Sequence, residues 1–180
     1  MTEKQTKFKE TKIGMIPEDL KRSDDFVKAV SEFLRKEKFL LNEDLNERTI
    51  THKLAEYLQK YFQDYNVDCE YNRMMKDKDY ITKTLLLSID NITSDDSKQT
   101  TVYPDIIIHR RGNDKSNLLV IEVKKKCNNG AKDFDSKKLK AFTSKLKLNY
   151  EYGAYIEFDT EKVYELDFFK EGKKVYESKV

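Results

Sequence analysis

Apolar residues recur at helical spacing in two stretches near the start of the chain, then alternate or run together in a series of shorter ones. Phe26, Val30, Phe33 and Leu34 form a stripe that predicts a helix from Glu18 to about Lys38. Pro17 would open it, with Glu18 and Asp19 at the positive end of its dipole. Ile50, Leu54, Tyr57, Leu58, Tyr61 and Phe62 mark a second helix that Asn46 can cap. Glu47 stands three positions before Ile50 and seven before Leu54, so it belongs to the first turn and to the inward face.

Beyond that helix the period shortens. Val67, Cys69 and Tyr71 alternate with Asp68, Glu70 and Asn72, as in a strand with one buried face. Within the ambiguous Met74–Thr101 region, Ile81–Ile89 reads as extended and Asn91–Thr101 as a polar loop. Tyr103–His109 and Leu118–Val123 read as core strands, joined by a turn at Gly112, Asn113 and Asp114. Leu139, Phe142, Leu146 and Tyr150 predict a helix over Asp133–Tyr150. Ala154–Phe158 follows as a strand, and Val163–Phe169 with Lys174–Glu177 reads as a hairpin about Glu171-Gly172. This order implies an α/β layer architecture with mixed strand pairing.

The 180 residues fit a single domain over 17–180, preceded by a polar tail over 1–16. Charged and hydrophobic residues each make up 38% of the chain, so a periodic core is expected beneath a heavily charged exterior. The net charge of +2 means that any electrostatic footprint must come from local clustering. Met1–Lys12 has no apolar signal-peptide core, and no stretch approaches the ~20 apolar residues of a membrane helix. Cys69 and Cys127 show neither zinc-site nor disulfide-framework spacing, so a cytoplasmic setting is expected.

The candidate chemistry lies in the two central strands. Pro104-Asp105 begins one, and Glu122-Val123-Lys124 ends the next. Alternation points Glu122 and Lys124 to the same face, away from Ile121 and Val123. Antiparallel pairing through the short turn would bring Asp105 beside Glu122. Two adjacent carboxylates repel unless a cation lies between them, and Mg²⁺ prefers such oxygen donors while retaining water. Acid-x-Lys alone means little in this chain, since Glu10-Thr11-Lys12 and Asp135-Ser136-Lys137 also fit. Glu122 differs because it interrupts an apolar strand, where an unpaired carboxylate is costly.

Tyr103-Pro104-Asp105-Ile106-Ile107-Ile108 and Leu119-Val120-Ile121-Glu122-Val123-Lys124 together resemble the motif of the PD-(D/E)XK nuclease superfamily. The resemblance covers the middle of the chain and implies a restriction endonuclease-like mixed β-sheet flanked by helices. It further implies that Asp105, Glu122 and the backbone carbonyl of Val123 bind Mg²⁺, for which Mn²⁺ would substitute. Lys124 would assist the nucleophile, and Glu47 would join the site from the preceding helix. The implied activity is metal-dependent hydrolysis of nucleic acid, with DNA favoured. Arg110, Arg111, Lys125 and Lys126 leave the two strands as candidate phosphate contacts. Specificity would come from the Met74–Thr101 region, from dimerisation or from a partner protein. The rival readings are a catalytically silent nuclease-like binding or scaffolding module, and a plain ion-paired sheet edge.

Overall fold

In the computed structural model, the described residues are 6–43, 46–71, 73–76, 79–82, 103–113, 116–126, 132–145 and 148–178. The chain opens with a hairpin of β1 (Phe8–Thr11) and β2 (Gly14–Pro17). Helices α1 (Ser23–Lys36), α2 (Lys38–Asn42) and α3 (Glu47–Tyr61) follow. Next come β3 (Asn66–Cys69) and a separate small hairpin of β4 (Arg73–Lys76) and β5 (Asp79–Thr82). The central strands are β6 (Ile106–His109) and β7 (Leu119–Lys125), after which α4 (Lys132–Thr143) leads into β8 (Tyr152–Phe158). A hairpin of β9 (Val163–Lys170) and β10 (Lys173–Tyr176) ends the described chain.

The main sheet has six strands in the order β10-β9-β8-β7-β6-β3, with β7 and β8 parallel and every other neighbouring pair antiparallel. The protein is therefore a mixed α/β fold. Strand alternation divides its core. Ile106, Ile108, Ile121 and Val123 face the larger cluster with Phe26, Phe33, Leu54 and Leu58 of α1 and α3. Ile107 and Val120 face the smaller one with Leu139 and Phe142 of α4. Each fully buried aliphatic side chain stabilises the fold by roughly 1.5–3 kcal/mol, which fixes the register of β6 against β7.

Several boundaries differ from the sequence expectation. Residues 8–17 are not a polar tail: Ile13 and Ile16 are buried in the larger core. Pro17 ends β2 rather than opening a helix, and α1 starts only after Arg22, whose φ of 62° separates it from that strand. Helix α4 stops at Thr143, and Tyr150 reaches the smaller core from the following loop, its N–H donating to the Phe142 carbonyl. Ile81 lies in β5, whereas 83–102 fall outside the described residues.

The second helix, its Asn46 cap, the two central strands and the C-terminal hairpin lie where the pattern places them. Asn46 accepts a hydrogen bond from the Arg48 N–H at 2.9 Å, a cap that stabilises a helix by about 1 kcal/mol. Glu171 and Gly172 both have positive φ, as a tight hairpin turn requires. Among the described residues, no helix is long and apolar enough to cross a membrane.

Candidate active site

Ile106 pairs with Ile121, so the next residues outward, Asp105 and Glu122, meet at the same end of the β6–β7 ladder. Asp105 Oδ2 accepts the Val123 N–H at 2.8 Å, which fixes the carboxylate against β7. Glu122 is fully buried on the α4 side. Two residues on, Lys124 shares that face, and its Nζ donates to Glu47 Oε1 at 2.8 Å. Capping by Asn46 sets Glu47 at the start of α3, aimed at the strand ends. The four acidic and basic residues expected from the sequence thus lie in one neighbourhood.

Helix α4 adds two members that the sequence reading missed. Lys138 Nζ donates to Glu122 Oε2 and lies 3.2 Å from Asp135 Oδ1. Asp135 Oδ2 faces Lys124 Nζ at 3.4 Å. Both residues are buried. Their delivery depends on close packing at Gly153 of β8, where an added Cβ would lie 3.2 Å from both Leu139 Cδ2 and Thr143 Cγ2. A signal was present: Asp135 lies four positions before Leu139 and seven before Phe142, so it interrupts the apolar stripe of α4 just as Glu122 interrupts β7.

Burial pushes the Glu122 carboxyl well above its ordinary range, and the Asp105 charge pushes the same way against the pull of Lys138. Burial also raises Asp105, although the Val123 N–H and the two ammonium groups oppose it. For Lys124, burial would lower the value, but the bond to Glu47 and the charges of Asp135 and Asp105 outweigh it, so the ammonium form is favoured. Lys138 is raised in the same way, mainly by Glu122. Glu122 Oε1 and Asp135 Oδ2 are buried without a hydrogen-bond donor. Four carboxyl groups therefore face two ammonium groups, a formal surplus of two negative charges when all are ionised.

An open cleft of about 290 Å³ reaches this cluster, with Glu47 and Asp105 in its wall beside Arg48, His52, Cys69 and Glu70. His52 is exposed and shares the cleft despite lying on a different part of α3 from Glu47. Cys69 packs partly into the core, and burial together with Glu70 and Asp105 pushes its thiol up to about 11, which keeps it protonated. Cys127 lies outside the described residues.

Neither a protein-family model nor a curated protein matches the chain.

The candidate phosphate contacts separate by location. Arg110 and Arg111 follow the far end of β6; Arg111 pairs with Asp68, and Arg110 stacks 5.2 Å above the Tyr65 ring. Lys125 ends β7 and Lys126 follows it, beside the Asp105–Glu122 end. Lys125 donates to the Glu43 carbonyl, and Lys126 pairs with Asp159 at 3.1 Å. A second acidic group, Glu165, Asp167 and Glu177, has oxygens that all lie within 4.8 Å of one another. Lys132 and Lys174 pair with these acids, and the Ser178 N–H donates to Asp167, so the group is well supplied with donors.

Proposed function

We propose that the protein is a Mg²⁺-dependent nuclease of restriction endonuclease-like fold that hydrolyses phosphodiester bonds in nucleic acid, DNA being favoured. The observation that carries this reading is the buried Glu122 carboxylate, one oxygen lacking a donor, set opposite Asp105 with Lys124 two residues on. A divalent cation fits the donors present. Asp105, Glu122, the Val123 carbonyl and Glu47 offer only hard oxygen atoms, which suits Mg²⁺ or Mn²⁺ rather than a thiophilic metal. The surplus negative charge has the size a dication would neutralise. When bound there, such a cation lowers the pKa of a water and polarises the phosphoryl group.

The chain's own groups have distinct tasks in this reading. Asp105 and Glu122 would hold the cation at the ladder end, with Asp105 and Glu47 in the wall of the cleft through which a backbone phosphate would approach. Lys124, kept as an ammonium by Glu47 and Asp135, orients the attacking water and offsets charge building on the phosphoryl oxygens. Lys125 and Lys126 stand on the same side as backbone-phosphate contacts.

One observation favours the readings without catalysis: Lys138 already sits on Glu122, as in a plain ion-paired sheet edge. Incubation of single- and double-stranded DNA and RNA with the protein and Mg²⁺ or Mn²⁺ separates these from the nuclease. Cation-dependent cleavage that vanishes in Asp105→Asn and Lys124→Ala, both folded, is expected. Folded protein that binds nucleic acid and cleaves none of the four would establish the silent module instead.

A further inference from the structure

The role of Lys138 is the part of the cluster that neither the motif nor the fold requires. A buried ammonium is expensive unless its hydrogens meet acceptors. Lys138 satisfies that condition twice over, with Glu122 Oε2 in hydrogen-bond contact and Asp135 Oδ1 at 3.2 Å. Asp135 is three residues back on the same helix, so the two move as a unit. Its other oxygen faces Lys124. An ammonium is a compact charge on a flexible stem, and here it can shift between the two acids without leaving the cluster.

Resting on the nuclease reading, we propose that Lys138 is a resident counter-ion: it neutralises Glu122 while no divalent cation is bound, and transfers to Asp135 when a cation takes Glu122. Helix α4 thereby supplies two positioning residues, Lys138 for Glu122 and Asp135 for both lysines. The charges support the exchange. Without a dication, Lys138 shields the most deeply buried carboxylate. With one, Asp105 and Glu122 face the cation, while Lys124 and Lys138 flank Asp135, and the six side chains plus the dication sum to zero formal charge.

The exchange gives the two α4 residues opposite effects on cation affinity. Lys138 competes with the cation, so its removal strengthens binding. Asp135 receives the displaced ammonium, so its removal weakens binding. A merely structural role for the pair would weaken binding in both cases by loosening the same helix.

Calorimetric titration of the full chain with Mn²⁺, without nucleic acid, tests this directly. Lys138→Met is expected to bind Mn²⁺ about tenfold more tightly and Asp135→Asn about tenfold more weakly, since each change alters one unit charge near the cation. Glu122→Gln should abolish binding. Lys138→Arg keeps the charge but grips Glu122 with a planar fork, so it should weaken binding; it decides the matter if Lys138→Met does not fold. Unchanged or weaker binding in a folded Lys138→Met overturns the counter-ion role, as does unchanged or tighter binding in Lys138→Arg. Binding by the unsubstituted protein that Glu122→Gln removes would leave the nuclease reading standing even then. No Mn²⁺ binding by the unsubstituted protein would remove both.

Discussion

The two ends of β6 carry charged clusters of opposite character on one face of one strand. At the far end Asp68 is held on both oxygens, by His109 Nε2 and Arg111 Nε at 2.9 Å each and by Arg111 Nη2. Burial raises its carboxyl, but these two partners outweigh burial and hold it below the ordinary range. Asp68 pairs with Ile107, and about 7 Å along the strand from there Asp105 and Glu122 are pushed the other way, and a Glu122 oxygen lacks a donor. Both clusters contain an acid withdrawn at least partly from solvent, with cations nearby. One is satisfied by its own residues, as a structural ion cluster must be; the other retains unused acceptors and excess negative charge, the condition under which an external cation is favoured.

Activity should separate the two ends most strongly. Asp105→Asn and Lys124→Ala are each expected to lower cation-dependent cleavage by on the order of 10²–10³-fold, with the circular dichroism spectrum unchanged. Asp68→Asn should leave the cleavage rate within about twofold of the unsubstituted protein, far below the tenfold that 1.4 kcal/mol represents. A comparable loss in Asp68→Asn would erase the distinction drawn between the ends.

Stability should reverse that order. Asp68→Asn leaves Arg111 without its carboxylate and is expected to cost about 1–3 kcal/mol in urea unfolding. The pH dependences should also oppose one another. Asp68 is lowered in the folded chain, so its contribution is complete above the ordinary carboxylate value and is lost as pH falls through the lowered one. Asp105 is raised, so its ionisation costs stability at neutral pH, a cost that disappears as pH falls to the ordinary value. Asp105→Asn should therefore melt higher than the unsubstituted protein at pH 7 without added cation, and the gap should close near pH 4. A gap that widens on acidification would show that Asp105 is stabilised as an anion.

The contrast also explains what could be read in advance. A buried acid inside an apolar strand is a local signal, and it made Asp105, Glu122 and Lys124 visible because antiparallel neighbours through a short turn need no distant information. Helical register placed Glu47 on the inward face, and the family resemblance assigned it to the site. Asp135 and Lys138 required knowing that α4 packs over the same strand end, a tertiary fact fixed by the close approach at Gly153. The hairpin over residues 8–17 was hidden for another reason: Ile13 and Ile16 are isolated apolar positions in a Lys-rich segment, and only their seat in the larger core reveals their purpose. Arg110 and Arg111 looked like the lysines at the end of β7 because sequence shows charge without its partner. Their location at the satisfied end, with Arg111 tied to Asp68, sets them apart.

Packing at Gly153 offers a way to perturb one end alone. Gly153→Ala places a methyl group 3.2 Å from Leu139 and Thr143 of α4, an overpacking expected to cost about 1–3 kcal/mol. Because α4 carries Asp135 and Lys138, cleavage should fall as well, while the Asp68 cluster, held between β3 and the end of β6, keeps its pH signature. Loss of both together would mean that α4 supports the whole face rather than one end.

The smallest expected difference concerns binding. Lys125 and Lys126 stand beside Asp105 and Glu122, and their present partners, a carbonyl and a partly exposed Asp159, are ones a phosphate can replace. Arg111 is held by a carboxylate that also binds His109. Lys126→Ala should therefore weaken DNA binding a few-fold and reduce the slope of log affinity against log salt by about 1, whereas Arg111→Ala should leave that slope unchanged and lower stability instead. An unchanged slope in Lys126→Ala together with a reduced one in Arg111→Ala would place the nucleic-acid path at the satisfied end of β6, away from the acids proposed to cut it.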